Sequence, residues 1–231
     1  MSVSEAVAYV RTALAESADP ERAAGMQAYM KTDMPFYGVP KPGRAPILRC
    51  LKKEYAPVDH AGYEALASAL WELPHREEKY LAQGVATGFP RFMGPESMPL
   101  YRRFIVEGAW WDFVDETATH MIRELVIHHP DEIWPAVDRW NQDEDMWLRR
   151  ASIICQVGAK EQTDPERLFQ YCAQRAHETE FFIRKAIGWA LREYAKTDPD
   201  AVAVFTSSHR ETLSALSFRE ATRQIGHLVG S

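Results

Sequence analysis

The hexapeptide FIRKAI at residues 182–187 aligns with WLRRAS at residues 147–152, and the two segments lie 35 residues apart. One further step of 35 residues back from Arg150 reaches Asp115. Repetition at this interval is typical of helix pairs stacked into a HEAT-like solenoid. Equivalent positions of stacked repeats fall in a row on one concave face, so we expect Asp115, Arg150 and Lys185 to line the same surface.

Signals for helix ends recur along the chain, whereas signals for strands are scarce. Asp19-Pro20-Glu21 and Asp164-Pro165-Glu166 each offer an Asp cap, a proline in the first turn and an early carboxylate. The chain contains no Asn-Gly or Asp-Gly hairpin signal. We predict an all-α fold of HEAT-like repeats forming a curved solenoid, with residues 1–231 as a single domain. Its helices, about a dozen, should begin near Ser2, Pro20, Pro42, His60, His75, Pro95, Trp110, Asp131, Glu144, Pro165, Glu180, Pro199 and Glu211.

One connection, residues 34–43, lacks a helical pattern because its prolines and glycines prevent a helix. The segment is aromatic and basic, so we interpret it as more than a slack linker.

Composition restricts the class of protein and its compartment. Of the 231 residues 46% are hydrophobic and 26% are charged, which is typical of a globular chain. Three dispersed cysteines are typical of a reducing compartment. The N-terminus lacks a signal-peptide pattern, and no apolar run is long enough to span a membrane. We therefore expect a cytoplasmic protein without a membrane partner.

Basic and aromatic side chains alternate on the repeated helices, in the pattern of a cationic groove that follows a nucleic-acid backbone. The formal net charge of -6 argues mildly against a nucleic-acid partner, but one cationic groove can coexist with an acidic outer surface. The alternative is that long basic side chains simply solvate a helical face. The residues that we expect to bind DNA are Lys31, Lys41, Arg44, Arg149, Arg184, Lys185 and Arg219.

The stretch WWDFVDE at residues 110–116 places Trp111 and Asp115 four residues apart, on one face of a helix. An aromatic surface beside an anion suits a sugar-like group that develops positive charge as it reacts. The alternative is that the tryptophans are core residues and the carboxylates favour the helix dipole. No paired-Cys or His-Glu-x-x-His pattern, nucleophile elbow or phosphate-binding glycine loop occurs, so we expect neither a metal nor a cofactor.

Several motifs resemble the bacterial DNA alkylation repair family of the AlkD type, in its order and across nearly the whole chain. They are WWDxxD at 110–115, WLxR at 147–150, FIRKAIGWxLREY at 182–194, and YMK at 29–31 running into PFYGV at 35–39. The resemblance implies a DNA glycosylase of HEAT-like repeats that wraps a duplex. Its implied substrates are cationic alkylated purines, chiefly 3-methyladenine and 7-methylguanine.

The resemblance also implies a role for each of five residues. Asp115 matches the carboxylate essential for base excision. Trp111 and Trp189 match two tryptophans that cradle the damaged nucleotide through its sugar. Arg150 matches an arginine that supports the site and the DNA backbone, and Tyr29 matches an aromatic residue on the wall of the cleft.

We therefore expect a monomeric, monofunctional alkylpurine DNA glycosylase that acts on double-stranded DNA and starts base excision repair. Two alternatives stay open: a noncatalytic protein of the same fold that binds branched or bent DNA, and a protein-interaction scaffold. Asp115 favours the enzyme, because an anion beside phosphates is unhelpful unless it takes part in chemistry.

Overall fold

The computed structural model describes residues 2–229, and all regular structure within them is helical. The all-α prediction is confirmed. The chain divides into two compact units, the first ending at Met93 and the second beginning at Gly94.

The first unit is a set of α-helices in which α4 packs along α5, and α1 contacts α3, α4 and α5. Its core is made of aliphatic and aromatic side chains such as Leu14, Leu51, Tyr63, Leu70 and Leu81, all of them buried. The helices are α1 (Val3–Glu16), α2 (Pro20–Met30), α3 (Lys41–Glu54), α4 (His60–Trp71) and α5 (Arg76–Gly88).

The connection between α2 and α3 is fixed by a buried carboxylate. Glu77 at the start of α5 accepts hydrogen bonds from the backbone N–H groups of Tyr37, Gly38 and Val39, at 3.0, 2.8 and 3.0 Å. Gly38 has a φ of +87°, which side chains other than that of glycine rarely adopt. The segment is therefore held in place rather than slack, and it ends earlier than predicted because α3 begins at Lys41.

The second unit is organised around α12, which packs against α10, α11, α13 and α14. Helix α10 in turn contacts α6, α7, α9 and α11. The helices are α6 (Met98–Gly108), α7 (Trp111–Glu116), α8 (Arg123–His128), α9 (Pro130–Asn141), α10 (Met146–Ile154), α11 (Pro165–Arg175), α12 (Phe181–Tyr194), α13 (Pro199–Ser208) and α14 (Ala215–Ala221).

The helix from residue 111 to residue 128 changes its hydrogen-bond register in the middle. Residues Thr117–Ile122 form a π-helical segment between α7 and α8, with helical backbone angles on both sides. At its end, the N–H of Arg123 bonds to the carbonyl of Ala118, five residues earlier rather than four. Such segments are rare and frequently lie at functional sites.

Candidate active site

The central contact of the second unit is an ion pair between Asp115 on α7 and Arg150 on α10. Nε and Nη2 of Arg150 donate to the two carboxylate oxygens of Asp115, each at 2.8 Å. This two-point geometry fixes the orientation of both groups. The Arg150 side chain is only 6% exposed, whereas that of Asp115 is 18% exposed. The carboxylate is therefore held from the protein side and open to solvent on part of its surface.

Arg150 also connects a third helix to this pair. Its Nη1 donates to the main-chain carbonyl of Phe182, in the first turn of α12, at 2.6 Å. One guanidinium thus fixes α7, α10 and α12 together. The expected alignment of Asp115 with Arg150 is a direct contact across the 35-residue interval.

Burial and charge act in opposite directions on Asp115. Loss of hydration raises the pKa of its carboxyl above the ordinary value of 3.8 and is the largest influence. The hydrogen bonds and positive charge of Arg150 lower that pKa, and the nearby charge of Asp112 raises it. The net direction is upward, so the ionised form of Asp115 is less favourable than that of an exposed aspartate.

Two tryptophans expected at the site lie on helices that meet α10. Trp111 is the first residue of α7, one turn before Asp115, and it is partly exposed. Trp189 is partly exposed on α12, two turns after Phe182. By contrast Trp71, Trp134 and Trp140 are buried, as expected for packing residues.

An aromatic cluster supports the ion pair. Phe182 packs against Trp110 and Trp147, with ring centroids 5.5 and 4.9 Å apart, and the guanidinium of Arg150 lies 5.8 Å from the Phe182 ring. Trp147 is 9% exposed, and Trp110 is partly exposed. These apolar rings pack beside Arg150. The orientation of its guanidinium is therefore restrained by packing as well as by hydrogen bonds.

A second ion-pair cluster occurs at the next interval of 35 residues. Lys185 donates to Glu220 on α14 at 3.1 Å, and Arg192 also pairs with Glu220. These two cations flank Trp189 on α12. Glu220 was not predicted as a site residue, although its distance of 35 residues from Lys185 was a signal in the sequence that indicates it.

The structure separates the expected DNA-binding cations of this unit into two groups. Arg149 forms a close ion pair with Glu178 and donates to the carbonyls of Asp143 and Glu144. Arg149 thus makes structural contacts, and Lys185 is paired with Glu220. Arg219 is exposed and Arg184 is partly buried.

Four other expected binding residues belong to the first unit. Tyr29 on α2 is 76% exposed, an unusual position for a large aromatic side chain. Lys31 caps the same helix with a φ of +50°, and both Lys31 and Lys41 are exposed. Arg44 donates to the carbonyl of Val39 at 2.8 Å and lies over the ring of Tyr80. Lys31 and Lys41 thus place positive charge at both ends of the connection held by Glu77.

Residues 2–229 contain no group of three or more His, Cys, Asp or Glu side chains placed to hold a metal ion. Among the helices of the same residues, none has both the length and the apolar character needed to cross a membrane.

Comparisons with known proteins point to one family. The model of a family described as DNA alkylation repair enzyme matches residues 10–225. A solved structure, described as a predicted DNA alkylation repair enzyme from Enterococcus faecalis, is 30% identical with a TM-score of 0.80. The match covers 90% of this chain and 96% of that one. No curated protein matches the chain.

Proposed function

The chain belongs to the DNA alkylation repair enzyme family, and on this premise we propose that it is a monofunctional DNA glycosylase. Its substrates are cationic N3- and N7-alkylated purines, such as 3-methyladenine and 7-methylguanine, in duplex DNA. It hydrolyses the N-glycosidic bond and leaves an abasic site for base excision repair.

The observation that most supports this proposal is the partial exposure of the Asp115 carboxylate while Arg150 holds it. The Asp115 side chain remains 18% exposed although Arg150 donates to both of its carboxylate oxygens. Each of its oxygens accepts one hydrogen bond from Arg150 and keeps further lone-pair capacity. The carboxylate can therefore face a sugar and a water molecule while Arg150 holds it from behind.

The chemistry of a cationic lesion requires only one such anion. When the bond between C1′ and the purine nitrogen breaks, its electron pair neutralises the positive charge of the base, so no general acid is needed. The sugar develops oxocarbenium character, as in glycoside hydrolysis, where a second carboxyl normally protonates the leaving group. Asp115 stabilises this positive charge and orients the water that adds to C1′.

The partly exposed tryptophans are suited to the same step. The electron-rich face of an indole attracts a cation with roughly 0.5–2 kcal/mol, depending on hydration. Trp111 lies on α7 together with Asp115, and Trp189 lies on α12, to which Arg150 also donates a hydrogen bond. We assign both tryptophans to the sugar of the damaged nucleotide. Tyr29 and the exposed lysines and arginines contact the surrounding DNA.

The decisive experiment compares the wild type with Asp115→Asn on a duplex that contains one 7-methylguanine. We expect wild type to release the base and Asp115→Asn to lose release by roughly 100-fold or more, because the anion that stabilises the transition state is removed. Both proteins should bind the duplex with similar affinity. Base release is measured by chromatography, and binding by fluorescence anisotropy.

The matched control is Asp200→Asn, which removes an exposed carboxylate from the first turn of α13. It changes the net charge equally and should release base at the wild-type rate. Full activity of Asp115→Asn would refute the mechanism. If all three proteins bound the duplex and none of them released base, the result would instead indicate a noncatalytic DNA-binding protein.

A further inference from the structure

The main-chain carbonyl of Asp115 accepts a hydrogen bond from a side chain, as a carbonyl four residues before a helical threonine often does. The hydroxyl of Thr119 donates to it at 2.7 Å. Thr119 is 7% exposed and lies in the π-helical segment that begins two residues after Asp115. The hydroxyl therefore bonds to the main chain of the proposed catalytic residue just where the helix changes its register.

The direction of this hydrogen bond is determined by chemistry. The Thr119 oxygen also lies 3.2 Å from Nδ1 of His120. A hydroxyl carries one hydrogen, and a carbonyl oxygen can only accept. The hydrogen therefore points to the Asp115 carbonyl, and any bond with His120 must be donated by its ring nitrogen.

The peptide group of Asp115 lies two residues before the π-helical segment, where the hydrogen-bond register of the helix changes. In an α-helix each carbonyl is fixed by the N–H four residues later, whereas the π-helical segment shifts the partner to the fifth residue. A side-chain donor at this boundary adds a restraint to the Asp115 backbone. The side chain of Asp115 is restrained by Arg150 alone among the hydrogen bonds described for residues 2–229.

We propose that Thr119 is a positioning residue for Asp115, and that its hydroxyl restrains the backbone of Asp115 so that the carboxylate meets both Arg150 and the reacting sugar. The proposal rests on the glycosylase function proposed above and assigns Thr119 no contact with DNA. A small misplacement of a catalytic group is enough to slow a reaction, because rate depends steeply on the alignment of the reacting atoms.

The test is Thr119→Val, which keeps the branched shape and removes the hydroxyl, and with it the hydrogen bond to the Asp115 carbonyl. We expect kcat for 7-methylguanine release to fall by about tenfold, with KM and duplex affinity unchanged. Thr119→Ser restores the hydroxyl and should recover most of kcat. Thr119→Ala removes the same donor without the methyl contacts, so it should show a similar loss of kcat even if its stability differs.

The matched control is Thr206→Val on α13. Thr206 is also buried, and its hydroxyl donates to the carbonyl four residues earlier, that of Val202, at 2.8 Å. The two valine variants make the same chemical change in the same unit. Similar melting temperatures with a loss of kcat only in Thr119→Val would support positioning, whereas an equal kcat in both variants would overturn it.

A measurement on Asp115 itself separates this proposal from the proposed function. Carbon-13 NMR of the Asp115 carboxyl reports its chemical shift and titration without any turnover. Thr119→Val should alter both, and Thr206→Val neither. If wild type released no base, the glycosylase proposal would fail, and the NMR result would still decide on Thr119: an unchanged Asp115 signal in Thr119→Val would refute the positioning role.

Discussion

Asp115 is placed where its hydration is mostly lost, and Arg150 restores part of that stabilisation through two hydrogen bonds. A buried ion pair of this kind gains little net stability, because the cost of desolvation offsets the attraction. Its value lies in the fixed direction of the carboxylate. At the scale of single residues, the pair therefore contributes the orientation of the carboxylate rather than net stability.

The rate of base release should depend on pH through Asp115. Its pKa is raised above 3.8, chiefly by burial, and only the ionised form stabilises the sugar cation. The enzymatic rate should therefore fall as pH drops through this raised pKa, earlier than for an exposed aspartate. Release of 7-methylguanine is measured across the acid range, with the spontaneous rate subtracted. Asp200→Asn should keep the wild-type profile, and an enzymatic rate that did not change as pH fell from neutral through the acid range would contradict the role of Asp115.

The sequence predicted Asp115 and Arg150 in one row because stacked repeats bring equivalent positions together, and the structure shows them in contact. It did not predict Thr119, because threonine has weak helix preference and nothing in the local pattern signals a π-helical register. It also treated Arg149 as a DNA-binding residue. Glu178, its partner, lies on the connection after α11, and spacing alone did not indicate that contact.

At the scale of helices, α12 and α14 pack closely together at Gly188. A Cβ atom added to Gly188 would lie 2.5 Å from the Cβ of Glu220 and 3.1 Å from the carbonyl oxygen of Ser217. Neither neighbour is a flexible side-chain end. Gly188 therefore admits a close surface, and that surface is α14.

Gly188→Ala should lower the free energy of unfolding by about 1–3 kcal/mol, because the added methyl forces α12 and α14 apart. Gly25→Ala is the control, since Gly25 lies inside α2 and an added Cβ meets nothing within 4 Å. That variant should gain up to about 1 kcal/mol from better helix preference. Urea unfolding followed by circular dichroism measures both, and equal stability of the two variants would contradict the close packing.

Helix starts could be predicted where one residue supplies the cap. Pro20, Pro165 and Pro199 begin helices as expected, with Asp19, Asp164 and Asp198 each accepting a backbone N–H. The start expected near Glu144 lies at Met146, because Asp145 is the cap. The start near Glu211 was wrong: α14 begins at Ala215 after the cap Ser214, and residues 210–213 form turns. Several neighbouring polar residues could each have capped the helix, so the sequence did not determine where these two helices start.

At the scale of the whole molecule, the net charge of -6 opposes the approach of DNA, so binding depends on particular exposed cations. Not every cation is available for this. Arg149 is already neutralised by Glu178, whereas Arg219 and Lys41 are exposed. The structure thus distinguishes cations that support the fold from those that can meet phosphates.

Arg219→Ala and Lys41→Ala should each weaken duplex binding and reduce the slope of log affinity against log salt by about 1. Arg149→Ala should leave that slope unchanged and instead lower the melting temperature, because Glu178 loses one of its two ion-pair partners within residues 2–229 and keeps Arg175. Affinity is measured by anisotropy over a range of salt concentrations. An equal loss of slope in all three variants would show that Arg149 also meets the DNA.

Intrinsic fluorescence of this chain comes mainly from its second unit, because six of the seven tryptophans lie between positions 110 and 189 and only Trp71 lies in the first. Trp110 and Trp147 belong to the aromatic cluster beside Arg150, and Trp110, Trp111 and Trp189 are partly exposed. The emission wavelength of tryptophan therefore reports on the environment of the candidate site. Quenching by a bound duplex distinguishes the exposed indoles from the buried ones. The protein carries its own optical probe of the surface at which we expect the lesion to bind.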